Sequence, residues 1–311
     1  MDIKKVLKEK RPNLSESSVR TYASILTTLY KRVFPDSDLD VDKFDDAGKI
    51  LDYLKEMAAP KRKTLLSALV VVSGGNEKYR NQMIHDIGSY NDGIAQQEKS
   101  PAQEESWLTT EEIKKRWDIL RSQTAMLYKH PEKSASVMQQ IQNFVLLSVL
   151  GGIFTPPRRS LDWCAFKINH INPASDNYYD TKTKEFVFST YKTAKTYGQQ
   201  RVACPPELRK ILTKFIALNP HRHFLFFDSN GAPLTSIKLN QRFTQIFGKK
   251  ASVNQMRHSY LTNKFGDTIK QNQLIAETMK EMGSSPAQLN LYVKRDSRPV
   301  SPISPISAPS P

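Results

Sequence analysis

Cysteine is scarce in this chain, with Cys164 and Cys204 the only two among 311 residues. Two thiols cannot by themselves build a disulfide framework or a metal cluster, so a reducing compartment is expected and both read as small buried hydrophobes. Long apolar runs are missing too. The longest, from Phe144 to Phe154, falls well short of the roughly 20 residues that span a bilayer. The opening Met1-Asp-Ile-Lys-Lys lacks the apolar stretch of a signal peptide, so a soluble, intracellular protein with no membrane partner is expected. Metal ligands are sparse: the six histidines are scattered, and the close pair His221 and His223 has no acidic or cysteine companion at ligand spacing. A Walker-type phosphate loop is absent, since Gly151-Gly152 is not followed by Lys and Ser or Thr. The expectation is therefore chemistry without a metal and without a cofactor.

Negative charge is the other shortage. Lys and Arg total 46 against 31 Asp and Glu, a formal net charge of +15, which favours a polyanionic partner, nucleic acid first. Hydrophobic residues make up 39%, enough for real cores, and the length suits two domains and a tail.

Periodicity divides the chain. Ser15 offers an N-cap, and Val19, Tyr22, Leu26, Leu29 and Val33 recur at three- and four-residue steps, predicting a helix that ends near Pro35. Further helices are expected over Asp46 to Met57 and over Lys61 to Val72, the latter opening on Lys61-Arg62-Lys63 and stopping at Gly74-Gly75. Residues 1–90 thus read as a small, basic, helical domain. Residues 91–105 carry almost nothing apolar and read as a linker. A domain over 106–295 opens with capping-box spacing at Thr109 to Glu112 and continues with a buried helix from Val137 to Leu150. A candidate strand covers Leu161 to Ile171, and Glu185 to Thr193 should pair with Gln200 to Cys204 across the turn from Ala194 to Gly198. Helices return over Leu208 to Leu218, Ser236 to Phe247, Val253 to Phe265 and Leu274 to Met282. The class is mainly α with a small β-sheet, α+β. Residues 296–311 are too rich in Pro and Ser to pack and read as a disordered tail.

What remains for chemistry is a series of cations in the second domain that ends in a tyrosine. Phosphoryl transfer without a metal needs fixed cations for the non-bridging oxygens, a nucleophile, and an acid for the leaving oxygen. Four segments supply that order: Leu150-Gly-Gly-Ile-Phe-Thr-Pro-Pro-Arg-Arg-Ser-Leu-Asp162, Tyr191-Lys-Thr-Ala-Lys195, Asn254-Gln-Met-Arg-His258 and Met282-Gly-Ser-Ser-Pro-Ala-Gln-Leu-Asn-Leu-Tyr292.

On these segments the chain resembles the tyrosine recombinase (phage-integrase) family, particularly the divergent integrases of viruses and mobile elements, over roughly residues 14–294. The resemblance implies a helical core-binding domain and a catalytic domain closing around double-stranded DNA, working as homotetramers on two duplexes. It implies cleavage and rejoining through a 3′-phosphotyrosyl intermediate, without metal or ATP. Arg159, three residues before Asp162, is similar to the family's first arginine, with Arg158 as the alternative. Lys192 takes the place of the hairpin lysine that protonates the leaving oxygen, with Lys195 as the alternative. Arg257 and His258 match the family's second arginine and following histidine, and Asn254 stands where a histidine is usual. Ser284 stands where histidine or tryptophan is usual, and Tyr292, eight residues on, is the implied nucleophile. A phenol with a pKa of about 10 is mostly protonated at neutral pH, so the guanidiniums would also have to favour its phenolate during attack. Lys61, Arg62, Lys63 and Lys195 are candidates for phosphate contacts on DNA. Two rivals stay open on the sequence: a type IB topoisomerase, which shares the nucleophile and cations, and a DNA-binding protein without catalysis.

Overall fold

The computed structural model describes residues 2–95, 98–129 and 134–294. The chain divides into two compact units, Met1–Ser100 and Pro101–Pro311. The described residues are mostly helical with one three-stranded antiparallel sheet, the α+β class that the hydrophobic periodicity implies.

The described residues of the first unit form five helices: α1 (Ile3–Lys10), α2 (Glu16–Val33), α3 (Ala47–Leu54), α4 (Ala59–Val72) and α5 (Glu77–Ala95), with a 3-10 turn over Val41–Asp45. Ser15 caps α2, its side chain accepting from the Ser18 amide, and Leu26, Leu29, Tyr30 and Val33 are buried. The short α1 follows the same logic: Asp2 caps it, and Ile3, Val6 and Leu7 bury one stripe. Beneath them Phe44, Ile50, Leu54, Leu66, Leu69 and Tyr79 complete the core, where the Tyr79 hydroxyl donates to the Phe44 carbonyl at 2.6 Å.

Helix occupies much of the stretch from 91 to 105 that reads as linker by composition. Helix α5 runs to Ala95, and α6 (Pro101–Ser106) opens the second unit. In α5 only Tyr79 and Asp86 are buried, and the apolar residues of its later turns, Tyr90 and Ile94, are exposed, so the helix carries little hydrophobic period to read. The tail over 296–311 lies outside the described residues.

Arg62, a sequence candidate for DNA contact, is used inside this unit. Its Nε and Nη2 donate to the two carboxylate oxygens of Asp86 at 2.7 and 2.6 Å, and its Nη1 donates to the carbonyls of Lys55 and Met57. The side chains are 15% and 1% exposed, so Arg62 ties α4 to α5 with four of its five N–H donors engaged inside this unit. The Lys63 ammonium lies 3.7 Å from the Tyr90 ring centroid, while Lys61 is exposed. Removing one partner of a buried pair leaves the other charge uncompensated. Arg62→Ala should therefore lower unfolding stability by about 3–5 kcal/mol in urea denaturation. Hydrogen bonding to Arg62 holds the Asp86 carboxyl below its ordinary value. That stabilisation is present above the ordinary carboxylate pKa and is lost as pH falls through the depressed one. The cost of Arg62→Ala should accordingly shrink in acid, and a cost independent of pH would contradict the pairing.

The second unit continues through α7 (Thr110–Leu127), α8 (Ala135–Leu150) and α9 (Ser160–Trp163) to β1 (Asn177–Asp180), β2 (Glu185–Phe188), α10 (Ala194–Tyr197) and β3 (Gln200–Ala203). It ends with α11 (Pro206–Leu218), α12 (Ser236–Phe247), α13 (Val253–Glu281) and α14 (Leu289–Tyr292). The capping box forms: Thr109 accepts from the Glu112 amide and Glu112 accepts from the Thr109 amide. Helix α8 is buried from Phe144 to Leu150 and ends at Gly151 and Gly152; the latter has φ +77 and a Cβ there would meet Tyr260 at 2.9 Å. The sheet order is β1-β2-β3, and Phe188 pairs with Gln200 across the hairpin. Of the expected pairing of Glu185 to Thr193 with Gln200 to Cys204, the part from Glu185 to Phe188 with Gln200 to Ala203 forms; the ladder stops at Phe188, and α10 lies in the connection that follows.

Two expectations fail. The stretch from Leu161 to Ile171 is no strand: α9 occupies its start, positive φ angles at Ala165 and His170 break extension, and only isolated bridges form at Lys167. The two helices expected over Val253 to Phe265 and Leu274 to Met282 are one, α13. Its middle is solvent-facing, so it needs no apolar period, and Gly266 costs a helix only about 1 kcal/mol. Cys204 is buried, and desolvation pushes its thiol up to about 11; Cys164 is half-buried. A thiol reagent at pH 8 should modify Cys164 first and Cys204 only on unfolding, as read by peptide mass spectrometry.

Candidate functional site

Three stretches spread over about a hundred residues meet at one concavity of about 200 Å³, lined by Pro157, Arg158, Arg159, Asp162, Tyr191, Thr193, Tyr197, Gln200 and Arg257. Each contributor is held by the core beneath it. The Trp163 ring at the end of α9 packs on Phe166 at 4.6 Å and on Phe186 and Phe188 at 5.3 Å, which fixes α9 and the arginines before it against the sheet. Arg257 follows the buried Met256 on the first turns of α13. There Ser252 caps the helix and the Ser259 hydroxyl donates to the Leu108 carbonyl.

The neighbouring arginines have different jobs. Arg158 donates to Asp162 at 3.0 Å and to the Gln200 side chain at 2.7 Å, with Phe188 and Tyr191 rings 3.9 and 4.9 Å from its Cζ. It fastens α9 to the hairpin. Arg159 stands at the N-terminal boundary of α9 without a side-chain cap bond, and it lines the concavity. Among the described residues, neither Arg159 nor Arg257 forms an ion pair; Arg257 donates a long hydrogen bond, 3.4 Å, to Asn254.

Electrostatics agree with that division. Burial pushes the Asp162 carboxyl up, opposed by Arg158, Arg159 and Arg257. Burial lowers the Arg257 pKa, and repulsion from Arg159 lowers it further. Three guanidiniums surround one carboxylate already engaged by Arg158, so the concavity keeps an excess of positive charge. Like charges held together and partly desolvated are costly until an anion enters between them.

Other sequence candidates lie beside this concavity. Asn254 and His258 sit one turn apart on α13 with side chains 3.1 Å apart. They line a larger neighbouring concavity of about 540 Å³ with residues of α6 and α12. Lys192 and Lys195 are on the hairpin tip, exposed, and are not among the residues lining the arginine concavity. Nor is Tyr292. It ends α14, 55% exposed, with its hydroxyl 3.5 Å from that of Ser284. Within one chain, then, Arg159 and Arg257 come together, Tyr292 pairs with Ser284, and the phenol stands apart from the guanidiniums.

Tyr292 is carried on an arm. Every residue from 261 to 274 except Gly266 is exposed. Leu261, Phe265 and Ile269 form an apolar stripe at four-residue steps, and Leu291 and Val293 flank the tyrosine, all exposed. Tyr197 is the residue that sequence reasoning missed. As one of twelve tyrosines it carries no signal of its own, and only the folding of the hairpin tip brings it to the arginines. Among the described residues no group of His, Cys, Asp and Glu could hold a metal, and no helix is long and apolar enough to cross a membrane. Comparison with protein-family models and with curated proteins returned no match.

Proposed function

We propose that this protein cleaves and rejoins double-stranded DNA as a tyrosine recombinase or integrase, with Tyr292 as nucleophile. The observation that carries the reading is the pair Arg159 and Arg257, joined in one concavity, repelling each other, and without a carboxylate of their own. Such a pair suits one phosphodiester, whose two non-bridging oxygens each accept from a guanidinium fork. The net charge of +15 suits the polyanion that carries that phosphate.

In the proposed reaction the Tyr292 phenol oxygen attacks phosphorus, the P–O5′ bond breaks, and the 5′ oxygen takes a proton from Lys192 at the hairpin tip, with Lys195 as the alternative. The phenol proton passes to solvent water as the guanidiniums of the concavity that Tyr292 enters favour the phenolate. The arginines hold charge that builds on the phosphoryl oxygens. Attack by a different 5′-hydroxyl on the phosphotyrosine reseals the strand. Asn254 orients Arg257, and Ser284 orients the phenol.

The exposed stripe on α13 and the position of Tyr292 support assembly on DNA with other copies of the chain, the arm of one protomer presenting Tyr292 to the concavity of the next. A duplex nicked just beyond the cleavage point, which lets the short 5′ product diffuse away, tests the reading. A covalent protein–DNA adduct stable in detergent is expected, and Tyr292→Phe should abolish it. No adduct across a library of nicked duplexes of varied sequence, with duplex binding intact, would reduce the protein to a DNA binder.

A further inference from the structure

We infer that Tyr197 is a stacking platform for an unpaired nucleobase next to the phosphate held by Arg159 and Arg257, a role that rests on the phosphate reading of that concavity. Tyr197 ends α10 at the hairpin tip and lines the concavity, yet it is 66% exposed. The tip that carries it is fastened. The Tyr191 hydroxyl donates to the Gly198 carbonyl at 2.7 Å, and Gly198 takes φ +66, a conformation that favours glycine. Tyr191 itself packs against Arg158, so the guanidinium layer and the tip move as one piece. An aromatic ring held outward at the rim of a cationic concavity pairs the two elements that single-stranded nucleic acid requires, a charge for the phosphate and a face for the base.

The chemistry on the page favours a base over other partners for this ring. Thr193 and Gln200 are the uncharged polar side chains beside the tyrosines in the same concavity, with the Gln200 carbonyl oxygen already accepting from Arg158, a small set from which to read a base edge. Stacking does not need them, because every base has a π-face, and preference among bases should be weak. In an intact duplex the bases are stacked on each other. Strand cleavage creates a free 5′ end, and the base there is the one released to lie on Tyr197. The platform would hold that strand during exchange.

The test uses the full chain and an oligothymidylate of about twelve nucleotides, within the range that one such groove accommodates. Tyr197→Ala should weaken its binding about tenfold, with the dependence on salt unchanged, because the ring carries no charge. Tyr197→Phe, which keeps the ring and loses the hydroxyl, should bind within about twofold of the parent. With 5-iodouracil in place of thymine, ultraviolet crosslinking should map to the peptide containing Tyr197. Equal losses in Tyr197→Ala and Tyr197→Phe would show that the hydroxyl acts, on phosphate, and would overturn stacking. So would an alanine variant that binds like the parent, or crosslinks confined to other peptides. The underlying reading is checked apart from these: Arg159→Ala with Arg257→Ala should reduce the salt dependence of binding, and an unchanged dependence would show that the concavity holds no phosphate.

Discussion

Arg257→Ala and Arg159→Ala should each reduce DNA cleavage by about 10²–10³-fold or more while leaving duplex affinity within about tenfold. A thousandfold loss corresponds to about 4 kcal/mol of transition-state stabilisation. A phosphodiester carries one negative charge in the ground state, and many other cations of this basic chain can bind the rest of the duplex. Charge grows on the non-bridging oxygens as the phenol attacks, and of the three guanidiniums lining the concavity the two not engaged with Asp162 and Gln200, those of Arg159 and Arg257, are placed to meet it. Arg158→Ala should behave differently. Its side chain is engaged with Asp162, Gln200 and two aromatic rings, so its loss should lower thermal stability as well as activity. Quantitative cleavage of a labelled duplex beside gel-shift titration separates the two effects. Parallel losses of binding and cleavage in Arg257→Ala would place that arginine in general DNA affinity instead.

The second large effect concerns which protomer supplies the nucleophile. Tyr292→Phe alone should form no adduct, and Arg257→Ala alone should form almost none. Mixed in equal amounts on nicked DNA, the two should regain adduct, carried by the Arg257→Ala chain. That chain still has its tyrosine, and the Tyr292→Phe chain still has a complete guanidinium pair. The reason is geometric: Tyr292 and its exposed flanks are on an arm, and the arginine concavity of the same chain is lined without it. An expression tag of different mass on each variant identifies the adducted chain by gel mobility. A mixture as inactive as its parts would mean that arm and concavity of one chain close on each other when DNA binds.

Much of this fold could be read from residue patterns, for local reasons. The hairpin was legible because two runs rich in strand formers flank a turn, and α8 because an apolar run ends at two glycines. Helix α5 was not, since most of its surface is polar and its hold on the unit comes from Tyr79 and Asp86. The strand expected after Arg159 failed because Ala165 and His170 turn the chain with positive φ, which apolar content does not reveal.

Sequence spacing puts Arg257, Asn254 and His258 on one helix, and all three lie on the first turns of α13, with Asn254 and His258 lining the neighbouring concavity. Spacing alone left Arg158 open as the alternative to Arg159, because which of the two is engaged depends on how a helix starts. Asp162 pairs with Arg158, four residues before it, and that pairing leaves Arg159 without an ion pair. Arg62 shows the same limit, because Asp86 is 24 positions away and nothing local marks it as the partner. Tyr197 and Tyr292 exchanged prominence for a related reason: the distance from a phenol to the guanidiniums is a property of the folded chain.

The most direct test of the central claim is to trap the covalent intermediate on nicked DNA, digest it, and identify the residue that bears the nucleotide. A phosphotyrosine at Tyr292, formed equally well with chelator present and absent in the Arg257→Ala variant alone, is the predicted result. An adduct on Tyr197 or on any other side chain, or cleavage that leaves no bond between protein and DNA, would contradict it.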